Sequence, residues 1–269
     1  MNTDHAGTVA VGRAHIRVVT RPGSADGTPL ALCNGIGAPH EALKPFVDAL
    51  DPRITAVRFD LPGAGATPRL AVPVPFAALA RLVATLMSRL GHRRFDVLGV
   101  SWGGGLAQQI AVQYPRRCRR VVLAATATGC LMVPASPRVL AHMATPRRYR
   151  DPSYARAVAG HIYGGEVRHN PELAKRLLLG ADRPPSRLGY LFQLAAGLGW
   201  TSLPFLPLIR QRALILAGTD DPIIPLVNVR LMSALLPHAT LHTYHDGHLA
   251  IVTRSEELAP VVSRFLLAP

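Results

Sequence analysis

Short apolar runs bounded by turn residues recur along the chain, at 30–33, 54–59, 95–100, 121–125, 213–217 and 240–244. Runs of this length that stay apolar throughout suit strands buried on both faces. Between them lie stretches with helical spacing, at 76–90, 106–114, 227–236 and 256–267. Strands alternating with amphipathic helices predict an α/β domain, with a mostly parallel sheet covered by helices on both faces.

The alternation breaks between Thr128 and Leu208, where the chain turns helical, proline-punctuated and richer in aromatics. Strand-like sequence resumes at Ala213, so an insertion between two core strands fits better than a second domain. The expected layout is a core of residues 1–127 and 209–269 with a helical cap at 128–208. Residues 188–209 carry no formal charge and are about long enough to span a bilayer. Gln193, Pro204, Pro207 and three glycines spoil a lipid-spanning helix, which leaves a buried or interfacial helix and loop and no transmembrane segment.

A chain of 269 residues can bury one sizeable core. Its 49% apolar and 17% charged composition excludes a disordered protein. The formal charge of +14 comes almost entirely from arginine. Genome composition produces such a bias as readily as function does; the functional reading is attraction to an anionic surface. The arginines are scattered rather than grouped with aromatics, so no nucleic-acid partner is expected. Three cysteines, Cys33, Cys118 and Cys130, form no C-x-x-C pair and fit a reduced compartment. Residues 1–21 contain no apolar core of a signal peptide, and the expectation is a cytoplasmic protein.

The most informative residues are Gly99-Val100-Ser101-Trp102-Gly103, directly after a strand-like run and directly before a helical one. A turn this sharp strains its central residue and leaves no room for side chains two positions to either side. The serine hydroxyl is then presented above the sheet edge, at a helix N-terminus whose free N–H groups favour developing negative charge. A chance G-x-S-x-G is common, but the strand-before and helix-after context makes Ser101 a candidate nucleophile.

Carboxylates follow in the turn Gly218-Thr219-Asp220-Asp221-Pro222, at the C-terminal end of the run 213–217. Ligand and catalytic groups collect at such ends in open parallel sheets, although Asp and Pro also favour ordinary turns. Of 11 histidines, His248 stands in Asp246-Gly247-His248, after the last strand and before the final helix. That completes the order Ser, Asp, His. His242 and His245 lie within or at the end of the strand and compete less well. In this arrangement His248 takes the proton of Ser101, and a carboxylate fixes the histidine tautomer.

The first apolar strand ends in Asn34-Gly35-Ile36-Gly37-Ala38. The backbone N–H groups of Ile36 and Trp102 are the expected oxyanion hole. A dinucleotide-binding reading of Gly35-Ile36-Gly37 fails, because the third glycine of that fingerprint is replaced by His40. Gly63 and Gly65 suit a tight loop anchored by Asp60. No clustered Cys/His spacing suggests a metal. Tyr190, Phe192, Leu194 and Trp200 are large side chains in an uncharged stretch and are expected to wall an apolar substrate pocket; packing the cap onto the core is the plainer alternative.

With these residues in place, the sequence from about Leu30 onward resembles the α/β-hydrolase superfamily. It looks closest to the intracellular depolymerases of medium-chain-length poly(3-hydroxyalkanoate). The matching stretches are Asn34-Gly35-Ile36-Gly37-Ala38, the serine turn with Gln108-Gln109, Tyr114-Pro115, Leu123-Ala124-Ala125-Thr126 and Asp246-Gly247-His248-Leu249. In the cap they are Pro146-Arg147-Arg148-Tyr149, Ile162-Tyr163-Gly164-Gly165 and 196–202. The family acid lies in Gly-x-x-Asp-x-x-x-Pro, which implies Asp221 between Gly218 and Pro225 rather than Asp220. Thr219 departs from the more acidic residue usual there. The resemblance implies an α/β-hydrolase fold and cleavage of polyester through an acyl-serine, with no cofactor. It also implies a hydrophobic polyester or granule surface as partner and a place in the cytoplasm at such granules. A small-molecule carboxylesterase with the same triad is the alternative, and a non-catalytic ligand-binding or granule-associated protein of this fold is a further one.

Overall fold

The computed structural model describes residues 4–170, 172–173 and 185–269. Eight strands form one sheet: β1 (His5–Val11), β2 (Ala14–Arg21), β3 (Leu30–Cys33), β4 (Ala56–Phe59), β5 (Phe95–Val100), β6 (Cys118–Ala124), β7 (Arg212–Gly218) and β8 (Ala239–Tyr244). Their order is β1-β2-β4-β3-β5-β6-β7-β8. β3 to β8 run parallel, while the β1–β2 hairpin adds antiparallel to β4.

The parallel strands explain their continuous apolar runs. Ala31, Val57, Val97, Val121 and Ile215 point into one core layer, and their neighbours Leu32, Ala56, Leu98, Val122 and Leu214 into the other. Side chains alternate across a strand, so both faces need apolar residues. The first layer is closed by α2 (Phe76–Arg89) and α3 (Trp102–Gln113), the second by α1 (Lys44–Ala49) and the C-terminal helix at Ser255–Leu267. Each fully buried leucine or valine here adds about 1.5–3 kcal/mol.

The β1–β2 hairpin and α1 were not among the elements expected. β1 is an edge strand, exposed over most of its length, so its sequence carries no apolar run. In β2 only Ala14, Ile16 and Val18 alternate inward before the pattern blurs. The turn joining the two places Gly12 at φ 59°, a conformation that favours glycine.

Between β6 and β7 the chain forms α4 (Pro137–Met143), α5 (Pro152–Tyr163), α6 (Gly165–His169) and α7 (Arg187–Gly197). The helix starts are written locally: Ser136 and Asp151 accept from N–H groups three residues on, each with proline at the first helical position, and Ser186 accepts from Gly189. The two ends of the segment meet. Gly129 and Thr201 form an antiparallel bridge, Cys130 N–H donates to Trp200 O at 2.8 Å, and Ser202 N–H to Thr128 O at 2.9 Å. α8 (Leu226–Leu235) and the short α9 (Ala250–Thr253) precede the C-terminal helix, α10. No helix of the described residues is long and apolar enough to cross a membrane.

Candidate active site

Ser101 sits between β5 and α3 with φ 54°, one of two non-glycine residues with positive φ among those described. A Cβ on Gly99 would lie 2.3 Å from Gly103 O, and one on Gly103 only 2.2 Å from Cys33 O. Both positions must therefore be glycine, and the tightness of the turn holds the serine in its strained conformation. Ser101 N–H donates to Ala124 O at 2.9 Å and Thr126 Oγ1 donates to Ser101 O at 2.7 Å, tying the turn to β6.

The other two residues come from the ends of β7 and β8. His248 Nε2 lies 2.9 Å from Ser101 Oγ, and His248 Nδ1 lies 2.8 Å from Asp221 Oδ2. The second Asp221 oxygen accepts from the N–H groups of Ile223 and Ile224 at 2.9 and 3.0 Å, so the carboxylate cannot swing away. Asp220 faces elsewhere: it accepts from Gly165 N–H at 2.7 Å and pairs with Arg168 at 2.8 Å. His245 Nδ1 meets Thr219 Oγ1 at 2.8 Å and His242 lies beside Tyr244, so neither approaches the serine turn. Burial, followed by the Asp221 and Asp246 carboxylates, pushes the Tyr244 phenol up out of its ordinary range. Cys33 and Cys118 are buried, and burial raises both thiols, which leaves them poor nucleophiles.

In the loop after β3, Gly35 N–H donates to Asn34 Oδ1, Gly37 N–H to Gln193 Oε1 and Ala38 N–H to Gly35 O. The Ile36 N–H is left out of this set. So is that of Trp102, the first residue of α3, which has no helical partner. Two backbone donors with no partner among the described residues thus flank the serine turn, and a Cβ on Gly35 would lie 3.8 Å from Ser101 Cβ. Asp60 anchors the loop after β4 by accepting from Ala66 N–H at 2.8 Å, and it also accepts from His40 N–H at 2.7 Å, joining that loop to the end of the β3 loop. His40, Glu41 and Asp60 are the one group among the described residues with three potential metal-ligand atoms together. The Asp60 oxygens are already occupied by these donors and by His40 Nδ1 at 3.1 Å.

Two clefts meet at Ser101. One, about 660 Å³ counted with its opening to solvent, is bounded by Ile36, Leu43, His248, Leu249 and Val252 from the core and by Met143, Arg148, Tyr149 and Tyr163 from the inserted segment. The other, of about 510 Å³ and more open, runs past Phe76, Trp102, Met132, Gly197 and Trp200. Of the four side chains expected to wall the pocket, Trp200 alone borders either cleft. Its ring packs edge-on against Phe76, and its Nε1 donates to Gln109 Oε1 at 2.8 Å. Tyr190 is fully buried behind the first cleft, donating to Met143 O at 2.6 Å and holding Arg148 Nη1 at 3.0 Å. Phe192 lines a separate cleft, with Arg69 over its ring, and Leu194 packs on the core. Helical spacing turns Tyr190, Phe192 and Leu194 to different faces of α7, so lack of charge alone was a poor guide.

Two contributions went unseen in the sequence reading. Gln193 ties three parts of the site: its Oε1 holds Gly37 N–H at 2.7 Å, its Nε2 donates to Pro62 O at 3.2 Å, and its carbonyl accepts from Trp102 Nε1 at 2.9 Å. Tyr163-Gly164-Gly165 clasps the turns that carry Asp221 and His248. Tyr163 O accepts from His248 N–H at 2.7 Å, and Cβ atoms on Gly164 and Gly165 would collide with Asp220 O and Asp246 Oδ1. The one signal for either was the match at Ile162-Tyr163-Gly164-Gly165.

The family described as alpha/beta hydrolase fold matches residues 28–255 of this sequence. The chain belongs to the alpha/beta hydrolases. A poly(3-hydroxyalkanoate) depolymerase of Ectopseudomonas oleovorans is 48% identical, over 96% of this chain and 91% of its own. A 2-hydroxymuconate semialdehyde hydrolase of Pseudomonas putida is 29% identical over 67% of the chain. Solved structures share this hydrolase fold: a hydrolase from Pseudomonas aeruginosa superposes with a TM-score of 0.81 at 24% identity, covering 98% of both chains. The enol-lactonase of Burkholderia xenovorans gives a TM-score of 0.81 at 22% identity, covering 97% of this hydrolase and 99% of its own chain.

Proposed function

We propose that this hydrolase cleaves the ester bonds of poly(3-hydroxyalkanoate) with medium-length side chains, through an acyl-serine intermediate. The likeness to the Ectopseudomonas depolymerase over nearly the whole chain carries this reading. Ser101 Oγ attacks the ester carbonyl while His248 Nε2 takes its proton, and Asp221 holds the imidazole in the tautomer that can accept it. The N–H groups of Ile36 and Trp102 receive the oxyanion. Collapse breaks the bond to the alkoxide, which leaves with the proton held on His248. Water, deprotonated by the same histidine, then releases the acid.

The form of the site suits a chain rather than a compact substrate, because clefts leave Ser101 in two directions. Away from Ser101, His248 and Arg148 the first cleft is lined mostly by apolar side chains, among them Ile36, Leu43, Met143, Leu249 and Val252. Each methylene buried there adds about 0.8 kcal/mol, enough to favour longer side chains several-fold per carbon until the space is full. In the segment at 128–208, which acts as the cap, Leu131, Val133, Leu188, Leu191, Leu198 and Leu208 are exposed and suit an apolar granule surface. The test is release of 3-hydroxy acids from amorphous medium-chain granules, short-chain granules and p-nitrophenyl esters side by side. Medium-chain granules should be degraded fastest among the polymers. Turnover of soluble esters with no attack on either polymer would replace this reading by that of a small-molecule carboxylesterase.

A further inference from the structure

Arg148 is 1% exposed, in the wall of the cleft that holds Ser101 and His248. Among the described residues no carboxylate lies within ion-pair distance of it, although most of the ion pairs they form bring arginine to carboxylate. Among the described residues Arg148 Nη1 donates to Thr145 O at 3.2 Å and to Tyr190 OH at 3.0 Å, and Nε has no partner. The rings of Tyr149 and Tyr190 lie 4.7 and 5.4 Å from the guanidinium carbon. They soften the charge without neutralising it. Burial raises the Tyr163 and Tyr190 phenols, so they stay protonated and supply no anion. An arginine does not lose its proton to relieve the strain.

Tyr163 lines the same cleft with the Arg148 guanidinium near its phenol, and among the described residues its buried hydroxyl finds no acceptor for its own proton. Two unsatisfied buried donors, one of them charged, therefore share one wall of a cleft that is otherwise mostly apolar. Buried polar groups are nearly always paired, and a buried guanidinium most of all. We infer that Arg148 and Tyr163 form a carboxylate subsite that recognises the free acid end of a hydroxyacyl chain beside Ser101. This rests on the ester-hydrolase reading above. The carboxylate belongs to the terminal unit that leaves as the alcohol, or to the hydroxy acid product still in the cleft. A planar guanidinium and a phenol suit that group better than a neutral ester.

The test compares the dimer of 3-hydroxyoctanoic acid with the same dimer ending in a primary amide, following cleavage of the internal ester. The free acid should have a kcat/KM at least about tenfold higher, the discrimination expected of a charge-assisted pair. Arg148→Gln should bring the ratio near one, Arg148→Lys should recover part of it, and Tyr163→Phe should lower it a few-fold. Calorimetry with 3-hydroxyoctanoate and 3-hydroxyoctanamide reads the subsite without turnover, and the acid should bind more tightly in the same proportion. It separates product from leaving unit: preference in binding without preference in cleavage assigns the subsite to the product. Equal cleavage and equal binding of acid and amide by the unaltered protein would overturn the inference, as would a preference that survives in Arg148→Gln. If Arg148→Gln does not fold, judged by near-UV circular dichroism, the unaltered protein and Tyr163→Phe decide. Failure to cleave p-nitrophenyl octanoate alongside selective binding of the acid would overturn the hydrolase reading and keep the subsite.

Discussion

The strand-end turns and the inserted segment both surround Ser101, but they are held there by different forces. Ser101, Asp221 and His248 stand on turns at the ends of β5, β7 and β8, and those strands are adjacent to one another or separated only by β6. Their placement follows from a sheet buried on both faces, the most cooperative part of the molecule. The inserted segment, whose ends are tied together by the Gly129–Thr201 bridge, reaches the site through scattered contacts of single residues: Gln193 on the loop after β3, the Tyr149 hydroxyl on Ile36 O, and Tyr163, Gly164 and Gly165 against the turns after β7 and β8. The difference teaches that the proposed reacting groups are placed by the sheet, while the walls of the clefts and the setting of the loop after β3 are shaped by the segment between β6 and β7. Damage to one need not resemble damage to the other.

The comparison can be broken most sharply at the serine. Ser101→Ala should lower kcat by about 10⁶-fold while leaving the thermal midpoint nearly unchanged, since the hydroxyl stands on a turn outside the core. Turnover comparable to the parent would remove Ser101 as nucleophile. Asp221→Asn should cost about 10⁴-fold in kcat by favouring the wrong histidine tautomer. In Asp220→Asn the half-exposed pair with Arg168 is lost, and stability should fall by no more than about 1 kcal/mol with activity changed only a few-fold. Steady-state kinetics on both variants checks the assignment, and reversed effects would move the role to Asp220.

Effects at the insertion should be smaller and mixed. Gly165 has φ 50°, and its Cβ would fall 1.8 Å from Asp246 Oδ1, so Gly165→Ala should lose about 1–3 kcal/mol of stability as well as activity. Denaturant unfolding beside kinetics would show both; loss of neither would mean that the clasp is ornamental. Gln193→Ala should leave stability closer to the parent and lower kcat about tenfold, by letting the Gly35–Ile36 peptide turn out of line. Trp200→Ala opens the second cleft and should raise KM for long acyl chains a few-fold with little change in kcat, because it removes apolar contact present equally in ground and transition states. A fall in kcat alone would show that Trp200 acts on the serine turn instead.

Much of this was legible in the chain. Each parallel strand and the helices α2, α3, α8 and α10 announce themselves through apolar periodicity, within a few residues of the ends observed. Ser101 and His248 stand out from the turns that follow those strands, whereas the turn after β7 offers both Asp220 and Asp221, and only the spacing that the family resemblance implies points to Asp221. Less visible were the edge strand β1, exposed and short of apolar residues, and the wall of the pocket. For Tyr190, Phe192, Leu194 and Trp200 composition correctly marked an apolar stretch, but which way the first three face depends on where α7 docks, and Trp200 is set by the turn that follows that helix.

The sequence by itself determined what the backbone must do locally: which runs are buried, where glycine alone permits a turn, and in which order serine, acid and histidine follow. Those are properties of near neighbours, read from spacing and residue type. Only the tertiary structure decided that Asp221 turns to His248 while Asp220 binds Gly165 and Arg168, and that Gln193 consumes the Gly37 donor and leaves that of Ile36. It alone decided that Arg148 is buried in the wall of the cleft that Ser101 lines, with no carboxylate partner among the described residues. Each of these depends on side chains separated by tens of residues or more, whose meeting is set by packing of the insertion on the sheet rather than by any local pattern.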